Sequence, residues 1–339
     1  MVSVPTSLDG VTPAWLTDAL VVRQPGTVVS EVRVDDVIHG SLTKVLLAVD
    51  YDANPHDIPG SLYLKAAWED HGIPTSVRSE AVFYDLGQPE VDVVTPQPYA
   101  AVHDEDHGVV VMENVVASGA TITDPVTPWT VDLVADGLAQ LASLHGRWWG
   151  DGRVPGIPDF EGSNALGAIL MAEGYWESCV AGPTGIHVPE AFRDRERTRP
   201  MVEALWQLDT ERPLAFCHGD AHLGNTFVTA DGGAAFLDWG GVKAGHWARE
   251  VCYFLAGALS PDDRRDHEVE LLEGYLGGLA AAGADAPDWD AAWLTYRRHF
   301  LHGLLWFLCP TQMQPVEIIN ASVERFALAC TDHDVATLF

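Results

Sequence analysis

Three polar side chains suited to phosphate chemistry lie close together within residues 214–240. An apolar run leads into a polar loop that carries Asp220 and Asn225. After an Asp-Gly-Gly turn, a second apolar run ends at Asp238. This pattern predicts a short hairpin that holds the three side chains at its ends. A carboxylate that orients an attacking hydroxyl, together with oxygen ligands for magnesium, is what phosphoryl transfer from a nucleotide requires.

Composition limits the partners of the chain. Its 339 residues are enough for two lobes, and 47% hydrophobic with 20% charged residues is typical of a folded globular protein. The 49 acidic and 19 basic side chains give a formal charge of -30, which repels nucleic acid and anionic membranes. We therefore expect a small-molecule partner, no nucleic acid and no membrane. A nucleotide is also an anion, so its binding would need local cations, and the chain has only three lysines: Lys44, Lys65 and Lys243.

The cysteines and the apolar runs indicate a cytoplasmic protein. The five cysteines are an odd number, widely spaced and mostly in apolar contexts, which favours reduced core residues over a disulfide framework or a zinc site. The opening Met-Val-Ser-Val-Pro lacks the basic and apolar regions of a secretion signal. The longest apolar stretch, residues 299–309, is too short to cross a bilayer. The sequence leaves the oligomeric state open.

The first third of the chain has the pattern of an antiparallel meander. Segments 28–38, 43–51 and 61–68 are rich in valine, leucine and aromatic residues and are separated by turn residues. Gly40 and Ser41 fall between the first two segments, where a glycine lets the backbone approach a phosphate closely. An ordinary hairpin turn explains this glycine equally well.

Lys65 lies inside the otherwise apolar third segment. Taken alone, it could be an outward side chain on a half-exposed sheet. A helical pattern follows over residues 76–86 and carries Glu80. Because a buried lysine needs a carboxylate partner, we expect Lys65 and Glu80 to pair.

Strand-like segments dominate the chain up to residue 112 and helical patterns dominate after it. We therefore predict an α+β protein with an N-terminal nucleotide-binding lobe at 1–112, a hinge at 113–117 and a helical lobe at 118–339 that holds the catalytic loop and the acceptor site. An apolar stripe predicts a long core helix at 130–149. His145 lies on this stripe and is expected to be a core histidine.

In this order, the motifs resemble the aminoglycoside phosphotransferase and choline kinase-like family, small-molecule relatives of the protein kinases. The resemblance implies a bilobal protein-kinase-like fold with an N-terminal antiparallel sheet lobe and a mainly helical C-terminal lobe. The opening Trp-Leu-Thr at 15–17 and the Tyr-Phe-Leu at 253–255 resemble, more narrowly, the ecdysteroid-kinase-like branch. The matching features are Gly40, Lys65, Glu80, Met112-Glu113, Leu144-His145, His218-Gly219-Asp220 with Asn225, and Leu237-Asp238-Trp239.

The resemblance implies a role for each matching residue. Asp220 would be the catalytic residue that orients the acceptor hydroxyl or accepts its proton. Asn225 and Asp238 would be the ligands of Mg²⁺. Lys65, fixed by Glu80, would neutralise the phosphates of ATP, with GTP left open as the nucleotide. The other nucleotide contacts would be Gly40, Ser41, Met112 and Glu113, the last two through backbone groups at the adenine edge.

Two histidines and one departure concern the support of the catalytic loop. His218 is expected to hold the loop by hydrogen bonding, whereas His222 could either hold it or take part in the chemistry. Arg249 and Glu250 stand where the small-molecule relatives of the protein kinases often have an aspartate followed by leucine. This departure affects an anchoring contact of the following helix rather than the chemistry.

The function that follows is O-phosphorylation of a small hydroxyl compound by a nucleoside triphosphate. An aminoglycoside or other antibiotic phosphotransferase is one alternative, and a catalytically inactive nucleotide-binding pseudokinase is another. The complete set of base and metal ligands argues against the inactive module. Metal-dependent phosphoester hydrolysis is disfavoured because its two metals need several separate ligand clusters, whereas the nearest candidates here lie on one loop.

The acceptor is predicted from the helical pattern at 291–308, which contains no acidic residue. If this helix lines the acceptor site, a lipophilic alcohol fits better than a cationic aminoglycoside. Packing in the core explains at least half of its aromatic residues equally well. The residues concerned are Trp293, Tyr296, Arg297, Arg298, Phe300, Trp306 and Phe307.

Overall fold

Contacts between residues divide the chain into two compact units, each with its own core. The first comprises Met1–Ile122, Pro155–Ile157 and Phe227–Val242. The second comprises Thr123–Val154, Pro158–Thr226 and Lys243–Phe339. The computed structural model describes residues 2–38, 42–68, 74–154, 156–157, 169–309, 311 and 314–339.

The first unit is built on a five-stranded antiparallel sheet in the order β1-β2-β3-β5-β4. Valine and leucine alternate with less buried residues along β2, so that Val45, Leu47 and Val49 pack into the core. The first three strands form the predicted meander. The strands are β1 Val28–Ile38, β2 Thr43–Ala53, β3 Ser61–Ala66, β4 Pro98–His103 and β5 Gly108–Glu113.

Two helices of the first unit position the sheet and the buried carboxylate Glu80. Helix α1 (Pro13–Leu20) begins where Thr12 Oγ1 accepts a hydrogen bond from the Trp15 backbone N–H, and its apolar face packs in the same core as the sheet. Helix α2 (Pro74–Val82) continues into a wider π-helical turn, Phe83–Gly87. Glu80 lies on α2 and is fully buried.

A second, small sheet contains the predicted hairpin that leads to Asp238. It joins β6 (Thr121–Ile122), β8 (Thr226–Val228) and β9 (Ala234–Phe236) in the order β6-β8-β9. Gly232 turns the chain between β8 and β9 with a φ of 93°, a conformation that favours glycine. The hairpin is therefore set by its Asp-Gly-Gly turn.

The second unit is mainly helical. Helix α3 begins at Val131, where Thr130 caps it, and ends at Arg147, as the apolar stripe predicts. Two short strands, β7 (Ala215–Cys217) and β10 (Lys243–Gly245), pair antiparallel. The helices are α3 Val131–Arg147, α4 Tyr175–Ala181, α5 Glu190–Arg193, α6 Arg195–Leu208, α7 Trp247–Ala258, α8 Pro261–Ala281, α9 Trp289–Arg298, α10 Phe300–Phe307 and α11 Val316–Asp332.

The aromatic segment at 289–308 is two helices, whereas the sequence pattern predicts one. The break is at His299, which separates α9 from α10. Its ring Nδ1 lies 2.6 Å from the Thr295 carbonyl oxygen, and its Nε2 lies 2.8 Å from Asp209 Oδ1. The bond to Asp209 comes from a distant part of the chain, so the apolar periodicity of the segment does not predict it.

A sheet-based unit and a mainly helical unit confirm the predicted α+β class. Residues 227–242 belong to the first unit by their contacts, although they lie between α6 and α7 in the chain. The nucleotide-binding, hinge and acceptor roles of 1–112, 113–117 and 118–339 stay predictions. Among the described residues, no helix combines the length and the apolar character needed to cross a membrane.

Candidate functional site

The first unit brings three of the predicted site residues into direct contact. Lys65 Nζ lies 2.6 Å from Glu80 Oε2 and 2.9 Å from Asp238 Oδ1. Lys65 and Glu80 are both buried. Burial disfavours the charged lysine, but Asp238 and Glu80 outweigh it and raise the pKa of Lys65 above its ordinary value. The ammonium group is therefore held charged and fixed between two carboxylates.

Asp238 is held in place by the chain around it. Its φ of 59° is left-handed, which few residues other than glycine adopt. The next residue, Trp239, is fully buried and stacks on Phe83 at 4.1 Å between ring centroids. A Cβ at Gly240 would overlap the Ser76 hydroxyl, so this loop packs closely on α2. The loop and the helix that carries Glu80 thus fix each other.

A second lysine also approaches Asp238. Lys44 on β2 pairs across the sheet with Lys65 on β3, and its Nζ lies 3.7 Å from Asp238 Oδ2. Two of the three lysines of this acidic chain therefore lie at the same carboxylate. Together the two lysines offset the charges of Asp238 and Glu80, and local cations are what the binding of an anionic nucleotide requires.

The other predicted nucleotide contacts are less well defined. Met112 is buried in β5 opposite Tyr63. The Glu113 backbone N–H donates to the Gln97 carbonyl oxygen at 2.9 Å, so this donor is engaged within the first unit. Gly40 and Ser41 lie outside the described residues.

In the second unit, Asp220 lies on the loop after β7, and each of its carboxylate oxygens accepts a hydrogen bond from a side chain. Asn225 Nδ2 donates to Asp220 Oδ2 and also to the Asp220 carbonyl oxygen, each at 3.0 Å. The Tyr253 hydroxyl donates to Asp220 Oδ1 at 3.4 Å. The Asp220 side chain nevertheless stays 39% exposed. Its carboxylate is therefore oriented but accessible.

The two loop histidines support this arrangement. His218 Nδ1 accepts the backbone N–H of Asp220 at 3.3 Å. His222 Nδ1 accepts the Gly224 backbone N–H at 3.0 Å, and its Nε2 lies 3.5 Å from Asp220 Oδ2. In a neutral ring the His222 proton is then on Nε2, toward Asp220. Both histidines therefore make hydrogen bonds that support the loop. For His222, support of the loop is one of the two roles that the sequence predicts.

Glu250 on α7 anchors the catalytic loop. Its carboxylate accepts the backbone N–H groups of His218 at 2.9 Å and Gly219 at 2.6 Å, and His145 Nε2 at 2.8 Å. Burial raises the pKa of Glu250, but these bonds, led by the one from His145, bring it below the ordinary value. The Tyr275 hydroxyl lies 2.7 Å from His145 Nδ1. The anchoring contact is thus made by Glu250, one residue after the position of the expected aspartate, and His145 is a core histidine as predicted.

Tyr253 and Glu250 hold the loop of Asp220, and the sequence did not predict this role for either residue. They lie three residues apart on α7, so that both face the loop of Asp220 from successive turns. A charged residue and a tyrosine at this spacing in an otherwise apolar helix were the available signal. Their partners lie about thirty residues earlier in the chain, which local patterns do not reveal.

Each of the two predicted magnesium ligands has a suitable donor atom. The Asp238 carboxylate and the Asn225 amide oxygen are hard oxygen donors of the kind that Mg²⁺ prefers. Asn225 turns its Nδ2 toward Asp220, which leaves the amide oxygen pointing elsewhere. Lys65 and Lys44 beside Asp238 would add positive charge for phosphate oxygens.

Two further clusters of potential metal ligands in the described residues are satisfied without an ion. These are His145, Cys217 and Glu250, and Asp209, His246 and His299. In the first, both His145 nitrogens bond to protein groups. In the second, both His299 nitrogens do, and His246 Nδ1 accepts the Ala248 N–H. Internal hydrogen bonds explain both clusters.

The aromatic residues predicted for the acceptor site divide into two groups. Tyr296 and Phe300 are fully buried in the core. Phe307 stacks on Tyr253 with ring centroids 5.1 Å apart and lies 5.6 Å from the ring of His222. Phe307, at the end of α10, therefore contacts the two rings, Tyr253 and His222, that lie next to Asp220. Of the others, Trp293 stacks on Trp289 and Tyr296, Arg297 lies over Trp293, Arg298 bonds to the Leu338 carbonyl oxygen, and Trp306 lies against His302.

Several solved structures resemble this chain in fold. A choline/ethanolamine kinase family protein from Mesorhizobium loti superimposes with a TM-score of 0.51 at 17% identity, covering 90% of this chain and 92% of that one. The wild-type aminoglycoside 2'-phosphotransferase-IIIa in complex with GDP gives 0.50 at 12% identity, covering 94% and 99%. A microcompartment-associated aminopropanol kinase gives 0.50 at 17% identity, covering 91% and 95%.

These likenesses confirm the protein-kinase-like fold. A comparison with curated protein sequences finds no match. The narrower ecdysteroid-kinase-like assignment stays a prediction. The model of the phosphotransferase enzyme family matches residues 65–293, which is more than half of the chain and includes Lys65, Glu80, Asp220, Asn225 and Asp238. The chain belongs to the phosphotransferase enzyme family.

Proposed function

We propose that this protein is a kinase of small molecules that transfers the γ-phosphoryl group of a nucleoside triphosphate to an acceptor hydroxyl. The observation that carries the proposal is that the Asp220 carboxylate is both oriented and accessible. Asn225 and Tyr253 hold its two carboxylate oxygens, and its side chain stays 39% exposed. An oriented and accessible carboxylate is what a hydroxyl nucleophile needs.

Asp220 would align the acceptor hydroxyl and accept its proton. The acceptor oxygen forms the new bond to the γ-phosphorus while the bond from that phosphorus to the bridging oxygen breaks, and the nucleoside diphosphate leaves with the electron pair. The loop anchored by Glu250 fixes the backbone just before Asp220. Since positioning supplies much of the catalysis in phosphoryl transfer, this rigidity is part of the mechanism.

The nucleotide phosphates would be bound by the first unit. Lys65, fixed by Glu80, would neutralise the phosphate charge, and Asp238 with Asn225 would hold Mg²⁺. When bound, Mg²⁺ supplies charge neutralisation at the phosphate oxygens. We propose ATP as the nucleotide and keep GTP as the alternative.

We propose a lipophilic or aromatic hydroxyl compound as the acceptor. Tyr253 and His222 lie next to Asp220, and the ring of Phe307 contacts both of them, so three aromatic rings lie close to this carboxylate. The three known structures are named for choline or ethanolamine, aminoglycoside and aminopropanol kinases, so acceptors differ widely within this fold. An aminoglycoside acceptor is the alternative.

The test is nucleotide consumption with magnesium and either ATP or GTP, against a mixed panel of simple and aromatic alcohols, sterols, sugars, macrolides and aminoglycosides. Phosphorylation of an aromatic or lipophilic alcohol, identified by mass spectrometry, is the expected result. Turnover of aminoglycosides alone would overturn the proposed acceptor. Magnesium-dependent nucleotide binding without transfer to any compound would establish the inactive module instead.

A further inference from the structure

The ring of His222 is held by three neighbours in the second unit. Its Nδ1 accepts the Gly224 backbone N–H at 3.0 Å, which caps the short 3₁₀ turn Leu223–Asn225. A Cβ at residue 224 would lie 2.7 Å from His222 Cε1, so the ring packs directly on this backbone. The rings of Tyr253 and Phe307 make T-shaped contacts with the imidazole, with centroids 5.9 and 5.6 Å away. The orientation of the imidazole is therefore fixed.

The two nitrogens of this ring face different partners. Because Nδ1 accepts a hydrogen bond, the proton of a neutral imidazole is on Nε2. Nε2 lies 3.5 Å from Asp220 Oδ2, which is at the long limit of a hydrogen bond. Hydrogen bonds of catalytic groups are often long in the free enzyme and shorten when substrate binds. Support of the loop uses Nδ1 alone, so the approach of Nε2 to the carboxylate is a separate feature.

His222 approaches the Asp220 carboxylate together with Asn225 and Tyr253. Asn225 Nδ2 donates to Oδ2 at 3.0 Å, and the Tyr253 hydroxyl donates to Oδ1 at 3.4 Å. The Asp220 side chain is 39% exposed, so packing alone does not prevent rotation of its carboxylate. Hydrogen bonds to a charged acceptor are stronger than those between neutral groups, and donors at both oxygens restrict that rotation. The direction in which Asp220 faces an acceptor therefore depends on these donors.

We propose that His222 is a positioning residue of the phosphoryl transfer, which holds the Asp220 carboxylate through its Nε2–H. The inference rests on the proposed kinase function and adds a residue to it. His222 sets the orientation of Asp220, and the proton of the acceptor hydroxyl goes to Asp220 itself. The contribution is mainly to kcat, because a misoriented carboxylate still lets nucleotide and acceptor bind. Support of the loop through Nδ1 instead predicts an effect on stability.

Two substitutions separate the roles of the two nitrogens. In His222→Asn, the side-chain oxygen can replace Nδ1 as the acceptor for the Gly224 N–H, but no donor reaches Asp220. In His222→Gln, the amide nitrogen can replace Nε2 as the donor to Asp220, whereas the bond from Gly224 is lost. We expect His222→Asn to melt near the parent temperature and to lose about tenfold or more in kcat, with both KM values little changed. His222→Gln should keep kcat within about threefold of the parent and melt at a lower temperature.

A double variant shows whether His222 acts through Asp220. The rate is that of product formation with magnesium, ATP and the alcohol of the panel that the parent phosphorylates fastest. In an Asp220→Asn background, the further change His222→Asn should cost little, since the carboxylate that His222 positions is already gone. If His222→Asn slows the Asp220→Asn variant as much as it slows the parent, His222 acts independently of Asp220, and the positioning role is rejected. Equal loss of kcat in His222→Asn and His222→Gln, or parental kcat in His222→Asn, rejects it as well.

The tautomer of His222 gives a second measurement, on the parent protein. Nitrogen NMR of protein labelled with ¹⁵N-histidine distinguishes a proton on Nε2 from one on Nδ1, and the signal that the variants lack identifies His222. A proton on Nε2 is expected. A proton on Nδ1 overturns the proposal, because Nδ1 could then not accept the Gly224 N–H, and a neutral ring would have no Nε2 hydrogen to donate to Asp220.

The parent protein and Asp220→Asn separate the kinase proposal from the role of His222. Product formation by the parent that is lost in Asp220→Asn supports the kinase function, whatever the His222 variants do. If the parent phosphorylates no alcohol of the panel, both proposals are rejected.

Discussion

The Glu250 carboxylate accepts the backbone N–H of Gly219 at 2.6 Å, one residue before Asp220. The catalytic loop is thereby tied to helix α7, which also carries Tyr253. Since the loop itself contains only short elements, its geometry depends on this buried contact.

Glu250→Gln should lower both stability and turnover. The amide cannot serve as a charged acceptor for two backbone N–H groups and His145, and the loss of charged hydrogen bonds in the interior predicts a decrease of about 2–5 kcal/mol in the free energy of unfolding. Denaturant titration measures this change. Glu270→Gln, at an exposed position on α8, is the matched control and should change stability by less than about 0.5 kcal/mol. Equal effects of the two variants would contradict the anchoring role.

Tyr253→Phe should reduce kcat by about two- to tenfold, because it removes one hydrogen bond to Asp220 and keeps the ring. The stack of residue 253 on Phe307 and its edge contact with His222 should survive, so the melting temperature should change little. Tyr253→Leu removes ring and hydroxyl together and should also weaken acceptor binding. Unaltered kcat in the phenylalanine variant would show that the hydroxyl does not orient Asp220.

Lys65→Met should destabilise the first unit as well as abolish nucleotide binding. It leaves Glu80 as a buried, unpaired charge, for which the typical cost is about 3–5 kcal/mol. The double variant Lys65→Met with Glu80→Leu removes that charge and should regain much of the lost stability. Nucleotide affinity, measured by calorimetry, should not return. Recovery of affinity in the double variant would mean that Lys65 acts only as the partner of Glu80.

His246 should make the protein less stable as the pH falls below neutrality. Its Nδ1 accepts the Ala248 N–H, and burial, with the nearby His299, lowers its pKa to about 3 from an ordinary value of 6.5. The unfolded chain therefore binds a proton near pH 6.5 that the folded chain refuses until about pH 3, so stability is lost across this window as the pH falls.

His246→Asn should flatten this part of the curve of stability against pH, since asparagine offers a neutral acceptor to the Ala248 N–H. His107→Asn, the same substitution at an exposed position of the first unit, is the comparison variant. A curve for His246→Asn that parallels the parent between pH 6.5 and pH 3 would show that this histidine does not control the acid response.

Local patterns in the sequence predicted the elements whose structure is decided locally. The strands β1 to β3 follow from segments rich in valine, leucine and aromatic residues that turn residues separate, and α3 follows from its apolar stripe. The pairing of Lys65 with Glu80 followed from the cost of burying a lysine, and the structure places them 2.6 Å apart. These inferences needed no knowledge of distant contacts.

Features that depend on distant contacts could not be predicted in this way. Glu250 reaches back about thirty residues to the catalytic loop, and His299 interrupts an apolar helix through its bond to Asp209. Neither partner is visible in a window of ten or fifteen residues. Tyr253 entered the sequence analysis only as part of a branch resemblance, although it is the residue of α7 that contacts Asp220.

The central claim is that Asp220 acts on the acceptor hydroxyl, and two Asp→Asn variants test it. Asp220→Asn should lower the rate of phosphorylated product formation by about 10²-fold or more, with nucleotide affinity kept. Asp231→Asn changes an exposed turn carboxylate that bonds to Thr229, and it should keep the parent rate. Product formation is measured by mass spectrometry under saturating nucleotide. An Asp220→Asn variant that is as active as the parent would contradict the account.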